Sequence, residues 1–278
     1  MPSSPDSKSI ISTEIKPFFY FVEQLWQVSQ KSPIFPLVIS FPNNEKTKGR
    51  TLSSMKPRII VAQTTSCTQL RLDFIEHDER FFLECEGRQV DGSQQGFATR
   101  KLIKLMSLPF RPARQPRIVI LGLGLGHAVA AARESLPQEK ASFVILPEAT
   151  ELANLVSKNL IIDPLDDERV HLDNLDPFTL LPEEYSASQG IFADLDHLEA
   201  LSPKNWTITS PNILGNFQER LKTEGLLGLI ANRPVTGLEK QLRKSGFEVT
   251  TDFAPSSEKS KKNRTLYLAR KGFYRSKH

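Results

Sequence analysis

Glycines and acids at the ends of predicted strands are the residues of this chain whose types and spacing could support chemistry. Gly122, Gly124 and Gly126 directly follow the apolar run 118–121 and precede a helical pattern. Glycines at such a turn let the backbone approach a ligand, and the free N–H groups of a new helix attract electron-rich atoms. The spacing indicates a loop that binds a nucleotide or nucleoside, with a tight turn that binds no ligand as the alternative.

The residue after the third glycine separates two classes of binding loop. The dinucleotide fingerprint GxGxxG would need glycine or alanine at position 127, where this chain has histidine. The remaining pattern, GxGxG, is typical of Rossmann proteins that bind S-adenosyl compounds. We therefore expect Gly122, Gly124 and Gly126 to bind S-adenosylmethionine or decarboxylated S-adenosylmethionine.

Acids after three further strands are candidates for the same site. A carboxylate after the second strand would hold the ribose hydroxyls and one after the third strand the adenine amine, since carboxylates accept hydrogen bonds from both. Asp176 is the candidate after the third strand. After the second strand only Glu148 is available, either as ribose ligand or as an ordinary carboxylate in the first turn of a helix. Asp194, after the fourth strand, is the candidate general base or amine-binding carboxylate, whereas His197 is interpreted as a solvated loop residue.

These residues require a sheet that brings several strand ends to one edge. Strands are predicted at 117–121, 141–146, 169–172, 190–193, 226–231, 247–252 and 265–270. Helices are predicted at 126–136, 149–159, 211–223 and 237–245. Alternation of strands and helices demands a parallel sheet with helices on both faces, and the last two strands, joined without a crossover helix, must run antiparallel. We predict an α/β fold with a doubly wound, mostly parallel seven-stranded sheet and an antiparallel last strand.

The chain before this sheet has a different pattern. Alternating apolar runs at 59–63, 68–74 and 80–85 predict a small antiparallel sheet, and a helix is predicted at 96–108. An aromatic-rich stretch with apolar residues at 18, 21, 22, 25 and 26 predicts an earlier helix. The predicted organisation is an N-terminal extension at 1–56, a small antiparallel β domain plus helix at 57–112, and an S-adenosylmethionine-type Rossmann domain at 113–278.

Composition excludes several classes of protein. Among 278 residues, Cys67 and Cys85 are too few for a disulfide framework, and five scattered histidines without a CxxC pair are too few for structural zinc. No apolar run reaches the roughly 20 residues that span a bilayer, and no apolar signal segment follows the polar N-terminus. We expect a cytoplasmic protein without a metal site or membrane contact.

The formal net charge of +4 is a property of the C-terminus. Residues 259–278 contain eight basic residues and no acid, which leaves 28 basic and 32 acidic residues in 1–258. A basic end is usually solvated, so we expect no nucleic-acid partner. The alternative, an RNA-binding tail that stacks bases on Tyr267, Phe273 and Tyr274, is weakened because Tyr267 alternates as a strand residue does.

Further motifs extend the pattern along the chain. They are Glu-Gly-Arg-Gln-Val at 86–90, Pro-Glu-Ala-Thr-Glu-Leu-Ala at 147–153, Ile-Phe-Ala-Asp at 191–194 and Leu-Lys-Thr-Glu-Gly-Leu-Leu at 221–227. Together with the glycine loop and the turn at Asp176, their order over residues 57–272 resembles the spermidine synthase family, the polyamine aminopropyltransferases. The resemblance implies transfer of an aminopropyl group from decarboxylated S-adenosylmethionine to a diamine, with Asp194 as base. It also implies a homodimer.

The resemblance fails at the substrate-binding stretch. In the family a Gln and then Asp-Glu-Phe-x-Tyr-His/Gln-Glu are typical, and these positions fall on Val90 and on residues 95–101. Only Phe97 matches, and the acids have become Gln95, Gly96 and Lys101. Because a diamine carries two positive charges, we expect Lys101 and its neighbour Arg100 to repel it and to suit an anionic acceptor.

The resemblance also fails on the second strand. The ribose-binding acid of the family falls on Val144, and the Asp two residues later falls on Leu146. Two functions therefore remain open. The first is an S-adenosyl-dependent transferase of changed acceptor specificity, for methyl or alkyl transfer, that does not make spermidine. The second is a catalytically degenerate relative that acts as a dimerising or partner-binding module.

Overall fold

The computed structural model describes residues 56–272. The predicted aromatic helix around residues 18–26 and the tail residues Phe273 and Tyr274 lie outside this range. Within it the chain forms a small sheet, a connecting helix and a large sheet. The domain boundary that we placed at residue 112 stays a prediction.

The small sheet is antiparallel throughout and has the strand order β1-β2-β3-β4. Its strands are β1 (Ile59–Thr65), β2 (Arg71–His77), β3 (Arg80–Cys85) and β4 (Arg88–Gly92). Two-residue turns with positive φ join β2 to β3 and β3 to β4, a conformation that matches the twist of the paired strands. The fourth strand was missed, because residues 88–92 contain one apolar side chain and residues 86–90 were interpreted as a turn.

The large sheet has seven strands in the order β10-β11-β9-β8-β5-β6-β7. They are β5 (Arg117–Leu121), β6 (Ser142–Leu146), β7 (Val170–Leu172), β8 (Ser188–Asp194), β9 (Leu221–Ala231), β10 (Phe247–Pro255) and β11 (Asn263–Lys271). Strands β5 to β9 are parallel, and β11 lies antiparallel between β9 and β10. The predicted fold class, including the antiparallel last strand, is confirmed.

Within residues 56–272, six α-helices connect and cover these strands. They are α1 (Phe97–Ser107), α2 (His127–Ser135), α3 (Thr150–Asn159), α4 (Leu195–Leu201), α5 (Pro211–Arg220) and α6 (Leu238–Lys244). Helix α1 follows the small sheet but packs on the large one, where a Cβ at Gly228 of β9 would lie 2.0 Å from Sδ of Met106. This close packing holds β4 and the start of α1 over the large sheet.

The parallel strands bring several chain segments to one edge of the large sheet. The residues after β5, β8 and β9 meet at their carboxyl ends, where ligands bind in open α/β sheets. Because β11 is antiparallel, its first residues also reach this edge, and Thr265 pairs with Ala231 at the end of β9. Helix α4 begins here as well, although His197 was interpreted as a loop residue. The Asp194 side chain caps the helix by accepting a hydrogen bond from the N–H of His197.

Candidate functional site

A cavity of about 1010 Å³ opens at the carboxyl edge of the large sheet. Its walls come from β4, the start of α1, the glycine loop, the β8–α4 junction, the segment after β9 and the start of β11. The lining residues that carry the argument below are Arg88, Asp91, Gly124, Asp194, Arg233 and Arg264. The large sheet therefore places a candidate binding site where the alternation of strands and helices predicted one.

The glycine loop lies at one wall of this cavity, with Leu123 and Gly124 among its lining residues. Gly122, Gly124 and Gly126 have φ values of 81°, 53° and 78°, which favour glycine. The packing around the loop is tight: a Cβ at Gly124 would lie 2.6 Å from Oδ2 of Asp91, and a Cβ at Gly126 would lie 2.3 Å from Cγ of Pro164. Protein atoms thus account for two of the three glycines without a ligand.

Every backbone N–H from residue 122 to residue 126 already has a protein acceptor. The N–H groups of Leu123 and Gly124 donate to the Glu148 carboxylate at 2.6 and 2.9 Å. The N–H of Leu125 donates to Oδ2 of Asp91 at 2.8 Å. The remaining two, on Gly122 and Gly126, donate to backbone carbonyls at 2.8 and 3.0 Å. The loop therefore presents its donors to the protein's own carboxylates.

Glu148 is fully buried at the end of β6. It precedes helix α3, whose N-cap is Ala149, so its interpretation as a carboxylate in the first turn of the helix is wrong. Besides the two loop N–H groups, Oε1 of Glu148 contacts Nε2 of His197 at 2.8 Å. The carboxylate lies behind the loop and is not among the residues that line the cavity. Its predicted role as a ribose ligand stays a prediction.

His197 is the partner that makes burial of Glu148 tolerable. We expected a solvated loop histidine, but the residue is 5% exposed and faces Glu148 on the first turn of α4. Burial alone would lower the pKa of His197, yet the adjoining carboxylate of Glu148 outweighs it and the pKa is raised to about 9. Burial likewise acts to raise the pKa of Glu148, and the charge and hydrogen bond of His197 reverse this, so that the pKa is lowered. The pair is a buried ion pair.

Asp91 on β4 is a site residue that sequence reasoning missed. It lines the cavity and accepts a hydrogen bond from the N–H of Leu125, and so connects the small sheet to the glycine loop. Its Oδ1 also lies 3.9 Å from Nε2 of His127, the residue that replaces the last glycine of the dinucleotide pattern. The available signal was an acid one residue after Val90, directly after residues 86–90, which we interpreted as a turn.

Asp194 lines the cavity as predicted for a residue at the end of β8, but its carboxylate is not free. Both oxygens accept hydrogen bonds from Arg264 at 2.7 Å, in the two-pronged geometry that suits guanidinium and carboxylate groups. Arg264 also contacts Asp196 at 3.3 Å and is 9% exposed. Its Nε is buried without a hydrogen-bond partner among the described residues. The proposed role of Asp194 as a base stays a prediction.

Asp176 is not among the residues that line the cavity. It accepts hydrogen bonds from the N–H of Phe178 at 2.8 Å and from Sγ of Cys67 at 3.6 Å. The N–H of Cys67 in turn donates to the carbonyl of Glu148 at 2.8 Å. Burial and the Asp176 carboxylate raise the pKa of the Cys67 thiol to about 12, so the thiol stays protonated. The β1–β2 turn thus bridges the two predicted nucleoside-binding acids.

The expectation that Arg100 and Lys101 determine the charge of the acceptor site is wrong. Neither residue lines the cavity. Lys101 turns towards β10, where Nζ contacts Oδ2 of Asp252 at 2.6 Å and the carbonyl of Phe253 at 3.1 Å. Residues on the opposite face of the same helix region, Gln95 and Thr99, face the cavity instead.

The two apolar residues on β6 also stand where the family resemblance would need acids. Val144 is partly buried in the centre of the strand, and Leu146 at its end is fully buried. Both are paired to β5, with Val144 opposite Val119 and Leu146 opposite Leu121. Both residues contribute to the packing of the sheet, and neither is part of the cavity wall.

Residues 56–272 lack the features of two other kinds of site. No helix there is long and apolar enough to cross a membrane. Within the same residues, no group of three or more His, Cys, Asp and Glu side chains is arranged to hold a metal ion. The cavity is therefore the candidate site that the described part of the chain offers.

Comparison with known proteins places the fold. No family model matches the sequence. No curated protein sequence matches it either. Solved structures do: spermidine synthase from Thermotoga maritima has a TM-score of 0.58 at 14% identity, covering 77% of this chain and 73% of its own. A spermidine synthase in complex with the transition state analogue AdoDATO has a TM-score of 0.56 at 14% identity, with the same coverage.

A third structure agrees with these two. A probable spermidine synthase from Corynebacterium glutamicum has a TM-score of 0.51 at 13% identity, covering 78% of this chain and 82% of its own. Identities this low carry information about the fold and not about the site. With its small antiparallel sheet, its seven-stranded sheet and its cavity at the carboxyl edge, this chain has the fold of the spermidine synthases.

Proposed function

We propose that this chain is a catalytically degenerate, spermidine-synthase-like protein that binds a ligand in its cavity without transferring an aminopropyl group to a diamine. The observation that carries the proposal is the pairing of Asp194 with Arg264. By the family resemblance Asp194 is the base that would act on the attacking amine. In this chain a cationic side chain of the protein already occupies that carboxylate.

The pairing opposes amine chemistry in two ways. A general base must come within about 2.6–3.2 Å of the proton-bearing atom, and here both oxygens of Asp194 are directed at Arg264. A diamine would also have to approach the guanidinium, and like charges repel strongly in a partly buried site. Arg264 thus stands in for the ammonium group of an acceptor.

The glycine loop supports the same proposal. An S-adenosyl ligand would need hydrogen-bond donors or acceptors at the loop, but the N–H groups of Leu123 and Gly124 are taken by Glu148 and that of Leu125 by Asp91. Glu148, the acid that follows β6, lies behind the loop. The residues present therefore do not fit an S-adenosyl ligand at this loop unless Asp91 or Glu148 moves, and its binding stays a prediction.

A direct assay tests the proposal. The full chain, incubated with decarboxylated S-adenosylmethionine and putrescine, is expected to form no spermidine above the rate without protein. Arg264→Gln is a companion variant, because it removes the cation paired with Asp194 and keeps a shorter, neutral polar side chain. Spermidine formation by the wild-type chain that Asp194→Asn abolishes would overturn the proposal.

The size of the cavity favours a second candidate function, an S-adenosyl-dependent transferase of changed acceptor specificity. About 1010 Å³ is enough for a nucleoside and a small acceptor, and Gly124 and Asp194 line the same space. Thermal unfolding with methylthioadenosine, S-adenosylmethionine and its decarboxylated form tests it, since a ligand at 100 times its Kd stabilises the fold by about 2.7 kcal/mol. A rise in Tm with any of the three would favour the transferase; no rise with all three would favour the degenerate binding protein.

A further inference from the structure

Apart from its histidines, the cavity wall contains four basic and four acidic side chains, but the two sets differ in how they are paired. Three of the acids are engaged by the protein: Asp91 accepts from the glycine loop, and Asp194 and Asp196 accept from Arg264. The N–H of Asn232 adds a further donor to Asp196. Of the four acids in the walls, Glu199 alone has no side-chain partner within residues 56–272.

The basic side chains show the opposite balance. Arg264 forms ion pairs with Asp194 and Asp196. Arg88, Arg233 and Lys262 line the cavity and are exposed, and their side chains form no ion pair or hydrogen bond in the described part of the chain. They come from three separate segments: β4, the turn after β9 and the loop before β11. Three unpaired cations thus face one unpaired acid across the same space.

We propose that the cavity binds a small anion with two or more negative charges, carried on phosphate or carboxylate groups. The inference rests on the proposed function, because it describes the ligand of the same cavity. Guanidinium groups match both kinds of oxyanion in geometry, and a cleft lined by one sign of unpaired charge concentrates ligands of the other sign. The polar neighbours Gln89, Gln95 and Asn263 add neutral donors to the same walls.

Such a ligand does not depend on the glycine loop. Its charges are met by side chains from β4, the β9 turn and the β11 loop, so the internally satisfied N–H groups of residues 122–126 are no obstacle. The ligand inferred here is an anion, whereas the acceptor that the family resemblance implies is a cationic diamine. A diamine would meet the unpaired side chains of Arg88, Arg233 and Lys262 as well as Arg264.

Isothermal titration of the full chain tests the inference, with pyrophosphate as the phosphate probe, citrate as the carboxylate probe, and putrescine as the dication. All titrations are run at one ionic strength set by sodium chloride. We expect one or both anions to bind and putrescine not to bind. The triple variant Arg88→Gln, Arg233→Gln, Lys262→Gln should weaken anion binding by at least tenfold. A preference for pyrophosphate or for citrate identifies which oxyanion the cavity takes.

A matched control separates a site from general attraction by net charge. The triple variant Arg114→Gln, Lys158→Gln, Lys240→Gln removes the same charge from exposed positions outside the cavity and should leave the affinity within about twofold. Equal loss in both triple variants, no heat with either anion, or tighter binding of putrescine than of the anions would each overturn the inference. The spermidine assay is separate: spermidine formed by a chain that also binds the anion would remove the proposed function and leave the inference standing.

Discussion

Nε2 of His197 and Oε1 of Glu148 lie 2.8 Å apart beneath the glycine loop, and the same oxygen accepts the N–H of Gly124 at 2.9 Å. This buried pair connects the end of β6, the first turn of α4 and the loop after β5. It explains how a fully buried carboxylate is accommodated: one ionic partner and two backbone donors replace its water. Of the two residues, His197 lines the cavity, whereas Glu148 lies behind it.

Removing the acid should be severely destabilising. Glu148→Ala leaves a buried imidazolium and two loop N–H groups without acceptors, and loss of one member of a buried pair typically costs about 3–5 kcal/mol. Urea unfolding followed by circular dichroism measures the change. Glu134→Ala, on the exposed side of α2, is the control and should change stability by no more than about 0.5 kcal/mol. Similar unfolding midpoints for the two variants would contradict the structural role of Glu148.

The raised pKa of His197 predicts how stability depends on pH. The folded protein holds the proton up to a pKa of about 9, whereas the ordinary histidine value is 6.5. The stabilising contribution is therefore complete below pH 6.5 and is lost progressively as the pH rises through 9. Asp91 and Asp194 add to the same effect after Glu148.

Denaturant unfolding at a series of pH values from 6 to 10 measures this dependence. His197→Asn removes the titrating group and should flatten the decline between pH 6.5 and 9, although the variant is less stable throughout. An equal decline in both proteins would mean that His197 does not hold its proton in the folded state.

Two glycine substitutions, one in the glycine loop and one in helix α5, should have opposite effects on stability. Gly124→Ala places a Cβ 2.6 Å from Oδ2 of Asp91 on a residue with φ of 53°, so we expect a loss of about 2 kcal/mol or more. Gly215→Ala, inside helix α5 with nothing within 4 Å of the new Cβ, should raise stability by up to about 1 kcal/mol. Thermal unfolding of both variants checks the signs. A neutral Gly124→Ala would show that Asp91 does not pack on the loop.

Substitution of Arg264 should change the charge of the ligand that the cavity prefers. Arg264→Gln leaves Asp194 and Asp196 without their cation, so the cavity should gain affinity for putrescine by at least tenfold. The control is Arg243→Gln, which removes the same charge from an exposed pair with Glu239 on α6. Calorimetric titration measures both. Equal putrescine affinity in the two variants would mean that Asp194 is not masked by Arg264.

Sequence patterns predicted the large sheet well because its signals are local. Apolar runs of four to six residues, each followed by a helical pattern, require a parallel sheet, and its carboxyl edge then follows from topology. The position of Asp194 at that edge is a direct consequence. The same reasoning missed β4, whose five residues contain only Val90 as an apolar signal.

The partners within the site could not be predicted because they are distant in the sequence. Arg264 and Asp194 are 70 residues apart, and Glu148 and His197 are 49 apart. Nothing in the local pattern distinguishes a histidine that is buried by its fold from one that is solvated, since His197 is flanked by Asp196 and an apolar residue. Lys101 shows the converse: its charge is visible in the sequence, but only the turn of α1 directs it to Asp252 and away from the cavity.

Two of the hydrogen bonds that tie the small sheet to the glycine region, from the N–H of Cys67 to the carbonyl of Glu148 and from the N–H of Leu125 to Asp91, have a consequence for unfolding. The small sheet cannot separate from the large one without uncovering the Glu148–His197 pair and freeing a loop donor. Both sheets should therefore melt in one cooperative transition. The amide hydrogens of Leu123 and Gly124 should then exchange with deuterium only through global opening, among the slowest in the protein.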